Sequence, residues 1–394
     1  MEIFQTIMLA LGSFFANPLL YVGLLAIYIT ASKRVRHERS FFHTRVYRRM
    51  ADFFVPVWPA ILIGLCVSLV FVLVGLVISW PVIIIMTAIT IILALTLQLR
   101  WLTASYAIGL TIIALAFLPV VEDQPFILDY IGVINTELIV PTLALLLSLL
   151  VMAEAVLIFR NGSVYTSPRL VRASRGKWIG YHLSERLWIV PILLFIPEGI
   201  IPTFEFWPVI PFAGLDLQPL LLPFLIGFKQ KVASTIPKAS IQPVGKQVMY
   251  LGLILLLLSI GSLYVSWLAF VVAGFAIVGR EFLWLQANNR DKKATRFFAE
   301  RADGCTVLGV LPGSLAEKMN IKIGETIVKV NGQKVQDETS FYEALQSNSA
   351  FCKLDVLDYD QEVRFEQGAL YDSEHHQLGV LLVKKDVSLS DSIT

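Results

Sequence analysis

His37-Glu38 could open a zinc-protease helix motif, but Phe41 stands where the second histidine would have to be. The other histidine pair, His375-His376, has no cysteine or histidine at ligand spacing and reads as a solvated turn. Cys66, Cys305 and Cys352 are scattered without a CxxC pair, which fits a reduced protein and not a disulfide framework. No nucleophile elbow, Walker loop or dinucleotide fingerprint occurs. Glu154 lies inside a long apolar run, where an ionisable residue is a functional candidate unless it pairs near the end of the run, for instance with Arg160. Arg280 and Glu281 interrupt the last apolar run, where solvation is expected, and no repeat between halves marks a transport pathway. No catalytic residue, metal site or cofactor is expected. The chemistry that remains is recognition.

The elements around these residues are those of a membrane chain. Its 394 residues are 56% hydrophobic and 16% charged, with mean hydropathy +0.70, whereas soluble domains carry about 25% charged residues. Runs long enough to cross a bilayer lie near 7–31, 54–79, 81–99, 101–120, 138–159, 187–204, 208–228, 247–263 and 265–285. The Pro-rich stretch 187–228 could hold one span plus re-entrant pieces, so seven to nine spans are expected. Glu2 is the only charge before Lys33, so the first run reads as a retained anchor and not a cleaved leader.

Segments 33–49, 160–186 and 229–246 are rich in Lys and Arg, whereas 120–137 and 198–216 carry acids and no base. Short basic loops remain in the cytoplasm, which places the C-terminal region there too. Topology and headgroup contact account for such loops; a specific anionic-lipid site is the sharper alternative. No arrangement argues for nucleic acid. The expected division is a polytopic transmembrane domain at 1–286, a polar linker at 287–299, a cytoplasmic domain at 300–386 and a disordered tail at 387–394.

Alternation marks strands at Cys305–Val310 and Thr326–Val330, with a turn at Asn331-Gly332. Pro312-Gly313-Ser314 starts a short helix, with Ser314 as its cap and Glu317 three residues on. A second helix is expected from Asp337 to Ser347, with Phe341 and Leu345 on its core face, and strands at 353–357, 362–366 and 378–383. The order, with PGSxAEK followed by GExIxxVNG from Gly324 to Gly332, resembles a PDZ domain over residues 300–386. The resemblance implies a peptide added as an extra strand, its carboxylate held on a glycine-containing loop. No such loop precedes Cys305. The nearest match is Leu378-Gly379-Val380-Leu381-Leu382, at the far end, which implies a circular permutation with Tyr342 on the facing helix lining the groove. The alternative is that this last segment is only a closing core strand. The fold class expected is thus a polytopic α-helical membrane domain followed by a small, permuted α+β PDZ domain.

The whole arrangement, with Phe14-Phe15-Ala16-Asn17-Pro18-Leu19-Leu20-Tyr21, the basic segment after it and Leu308-Gly309-Val310-Leu311-Pro312-Gly313-Ser314, resembles the MinJ family of bacterial division-site proteins. That resemblance implies a scaffold of Gram-positive rods, enriched at septum and poles. It would bridge a polar or septal coiled-coil protein to a MinD-like ATPase and contact late division proteins. Proteins and membrane lipid are therefore the expected partners, with homo-oligomerisation open. The rival class is a PDZ-bearing regulator of a membrane protease; transport rests only on the span count and Glu154.

Overall fold

The computed structural model describes residues 2–117, 136–173, 176–203, 207–208, 216–348, 351–369 and 378–384. His375-His376, the tail at 387–394 and nearly all of the acidic segment at 120–137 lie outside the described residues.

The first apolar run is two helices, α1 (Glu2–Ala16) and α2 (Pro18–Phe42). Asn17 separates them because its Oδ1 accepts from Leu19 N–H at 2.9 Å and Pro18 follows at the first helical position. Next come α3 (Ala51–Val74), ended by Gly75 at φ +69°, then α4 (Trp80–Leu95), a 3₁₀ turn (Leu99–Trp101) and α5 (Ala104–Ala116). After α6 (Thr136–Asn161) the chain forms three strands, then α7 (Pro237–Ser262) and α8 (Leu268–Lys293). Among the described residues, five helices are long and apolar enough to cross a membrane: α2, α3, α6, α7 and α8. Helix α6 is the central one, with 78% of its apolar window buried against 28% for α3 and α8.

The expectation of helical spans at 187–204 and 208–228 does not hold. Strand β2 (Trp178–Ile201) runs through the first and pairs antiparallel with β3 (Leu217–Val232), while β1 (Ser167–Arg172) covers the near end of β2. An open sheet edge cannot face lipid, which offers no hydrogen bonds. The helices and their connections close these edges. Ser68 on α3 accepts from Leu193 N–H at 2.9 Å, and Ser13 on α1 both accepts from and donates to the backbone of Leu221. Phe195 exchanges backbone bonds with Leu76 and Ile78, and Gly227 N–H donates to Leu102 carbonyl oxygen. Prolines lie directly opposite at Pro191 and Pro223, where neither has an N–H to strand. The apolar helices thus enclose a buried β-hairpin.

Beyond α8 the chain builds a second core. Its elements are β4 (Cys305–Val310), α9 (Leu315–Lys318), β5 (Thr326–Val330), β6 (Gln333–Lys334), α10 (Glu338–Gln346), β7 (Phe351–Leu357), β8 (Val363–Ala369) and β9 (Val380–Leu382). Sheet order is β8-β7-β5-β4-β9, with β6 beside β5. Residues 287–293, expected to start a polar linker, instead continue α8.

Candidate peptide-binding site

Local chemistry explains why this segment folds as it does. Gly313 turns the chain at φ +77°, Ser314 Oγ accepts from Glu317 N–H at 3.4 Å, and the Glu317 carboxylate accepts from Gly313 N–H at 2.6 Å. Gly324, at φ +94°, lies against the Phe297 ring with no room for a Cβ. The buried Glu325 accepts from Lys322 N–H and pairs with Arg364 at 2.9 Å. Asn331, at φ 50°, donates to Ala344 carbonyl oxygen and accepts from Lys353 N–H, tying α10 to β7, and Gly332 completes the turn at φ +84°. These motif residues hold the fold together.

Strand β9 lies antiparallel to β4 at the end of the sheet, with Val310 opposite Val380. Leu378, Val380, Leu381 and Leu382 are all buried. Gly379 has φ +85°, and a Cβ there would run into the Ser314 side chain. Its glycine character is therefore demanded by the fold itself. On α10, which the Asp337–Ser340 capping box starts, Tyr342 is half-buried and packs with Val310 against the core. Among the described residues β9 pairs only with β4, so its other edge is unpaired. Cys305 and Cys352 are buried and form no disulfide, Cys305 Sγ donating to Asp337 carbonyl oxygen, and burial pushes the Cys352 thiol up to about 12, which leaves it unreactive.

The domain does not hang from a tether. Phe297 N–H donates to Ala233 carbonyl oxygen and Gly180 N–H to Phe298 carbonyl oxygen, both onto the β-hairpin. Phe298 and Leu308 pack with Leu170 and Val383, flanked by Phe41 and Trp178. His182 on β2 lies within 2.9 Å of Leu308 carbonyl oxygen through Nε2 and of Thr166 Oγ1 through Nδ1. Burial drives its pKa down to about 4, so it sits there neutral, with one nitrogen donating and the other accepting. Asp291 near the end of α8 accepts from Ala233 N–H, Ser234 N–H and Ser234 Oγ, which fixes the approach of the chain. This seat left no motif in the sequence. Its only signal was the aromatic pair Phe297-Phe298 within a polar stretch.

The other sequence candidates find different surroundings from those expected. Glu154 pairs not with Arg160 but with Arg280, at 2.8 Å, and both side chains are buried. Arg280 is therefore not solvated, and Glu281 binds Tyr106 and Arg100. Arg34 and Arg186, expected among headgroups, turn inward onto Asp52, and Arg34 also pairs with the fully buried Glu38. Glu38 further accepts from Ser167 Oγ and Val46 N–H. Its place beside His37 is thus structural.

An apolar helical domain with a peptide-recognition fold seated on one end defines a membrane-anchored PDZ protein. The PDZ domain family model matches residues 306–355. Over 376 residues, 95% of this chain and 94% of the relative, it is 34% identical to the cell division topological determinant MinJ of Bacillus subtilis (strain 168). It is 24% identical to the probable cell division topological determinant MinJ of Lacticaseibacillus paracasei, over 94% of this chain and 98% of that one. The chain belongs to the MinJ family of cell division topological determinants.

Proposed function

We propose that this chain is a non-enzymatic, multi-pass membrane scaffold that recruits division proteins to the septum and poles. The observation that carries this reading is that its likeness to a division determinant extends over both the helical domain and the PDZ domain. The finer assignment is a bridge between a septal or polar coiled-coil protein and a MinD-type ATPase, with contacts to late division proteins. A cytoplasmic PDZ domain is supported by its seat against the basic segments, where Phe41, Leu170 and Trp178 pack with Leu308.

The groove is proposed between β9 and α10, where an extended peptide would add to the unpaired edge of β9 beside Tyr342. The place of β9, the last strand in sequence, beside β4, the first strand of the domain, supports it. A weak groove suffices when the helices and basic loops hold the same partner in the plane of the membrane, since confinement raises effective concentration.

Affinity capture of full-length chain from detergent-extracted membranes tests the reading. A coiled-coil protein and an ATPase should co-purify, and Tyr342→Ala should reduce recovery of at least one of them. Recovery of a membrane protease in their place would replace the scaffold by a protease regulator.

A further inference from the structure

At the end of the helices nearest the PDZ domain lies a cavity of about 430 Å³, walled by the 3₁₀ turn, β3 and α8. Gly227 makes it possible: without a side chain, β3 lets Leu99 and Leu102 press directly onto its backbone. That contact brings Arg100 beside Lys229 and Lys231 of β3. Four cations, Arg100, Lys229, Lys231 and Arg280, line the cavity against a single carboxylate, Glu281.

The cations are not equivalent. Arg280 is held inward by Glu154 and Lys229 by Glu185 at 2.9 Å. Arg100 stacks on Trp284 at 3.9 Å from the ring centroid, and its Nη2 lies 3.3 Å from Glu281. That carboxylate is shared with the Tyr106 hydroxyl. The Lys231 ammonium sits over the Tyr181 ring, 4.0 Å away. Among the described residues no carboxylate lies within ion-pair distance of it, and Arg296 and Lys292 add positive charge nearby, opposed by Asp291. Between the two lysines on β3 the buried Gln230, which also lines the cavity, leaves its Oε1 without a donor among the described residues. The chemistry lacking here is an anion that also carries a hydrogen-bond donor.

The walls say where that anion comes from. Trp101, Trp284 and Tyr106 are the residue types that settle at the headgroup level of a bilayer. Along α8, Val278 and Phe282 are exposed apolar residues beside the cavity, the surface an acyl chain would cover. We propose that this cavity binds the phosphodiester headgroup of an anionic phospholipid bearing a hydroxyl, with Lys231 and Arg100 facing the phosphate. The site requires only that this end of the helices lie at a bilayer surface, so it stands apart from which partners are recruited.

The test uses full-length chain in detergent, titrated with phosphatidylglycerol, phosphatidylcholine or inorganic phosphate and read by native mass spectrometry and thermal unfolding. Phosphatidylglycerol should be retained and should stabilise, and Lys231→Gln should weaken it about five-fold, the effect of one interfacial cation. Arg100→Gln should weaken it too; if that variant fails to fold, Lys231→Gln alone carries the test. Lys238→Gln, an equal charge loss outside the cavity, should leave binding unchanged. Equal retention of phosphatidylcholine, or undiminished phosphatidylglycerol binding by Lys231→Gln, would overturn the site. Displacement of the lipid by millimolar inorganic phosphate would overturn the lipid assignment.

Discussion

His182 of the buried hairpin and Leu308 of the PDZ domain meet at 2.9 Å, imidazole Nε2 to carbonyl oxygen, and this bond joins the two cores. Because Thr166 engages Nδ1, the ring is fixed at both nitrogens. The bond holds the PDZ domain in one place against the helical domain.

The seat is sensitive to acid. His182 is neutral when docked, its pKa lowered to about 4 by burial, whereas a free histidine titrates near 6.5. Its contribution is present in full above pH 6.5, declines as pH falls below that value, and is lost completely below about 4. The loss approaches on the order of 3 kcal/mol if docking alone carries it. Amide exchange at 305–310 should accelerate as pH falls through this window, after correction for intrinsic rates, and His182→Gln should flatten the profile.

Glu154 and Arg280 form a buried pair between α6 and α8. Glu154→Leu leaves an uncompensated cation among apolar helices and should cost about 3–5 kcal/mol. The double variant Glu154→Leu/Arg280→Leu should recover most of that loss in thermal unfolding. A double variant no better than the single one would mean that the pair does more than neutralise itself.

Gly379 supplies a third outcome. A valine there must adopt φ +85° and displace Ser314, so Gly379→Val should destabilise the PDZ domain by at least about 2 kcal/mol. Chemical denaturation of the full chain, followed through the PDZ domain, checks it. Unchanged stability would return Gly379 to a role in ligand approach alone.

The parts that were legible in sequence are those set by near neighbours. Strands Cys305–Val310 and Thr326–Val330 and helix Glu338–Gln346 follow from alternation, the Asn331-Gly332 turn and the spacing of Phe341 and Leu345, all read within a few residues. The helices α3, α6, α7 and α8 followed from apolar length. The hairpin was not legible, because a strand buried on both faces is continuously apolar and loses its period of two. Its 24-residue β2 then has the length of a span. The partner of Glu154 lies 126 residues away, so proximity in sequence favoured Arg160. Tyr342 was located on its helix and Val380–Leu382 on a strand shorter than the expected 378–383, whereas the seat made by His182, Phe298 and Leu308 depends on contacts that no local pattern encodes.

The proposed role of the PDZ domain in placing division proteins is tested by deleting residues 300–386 in cells while imaging a septal or polar coiled-coil protein and a MinD-type ATPase. At least one of the two should disperse from septum and poles, and division should be misplaced, giving filaments or minicells. Normal placement of both, with normal division, would contradict it.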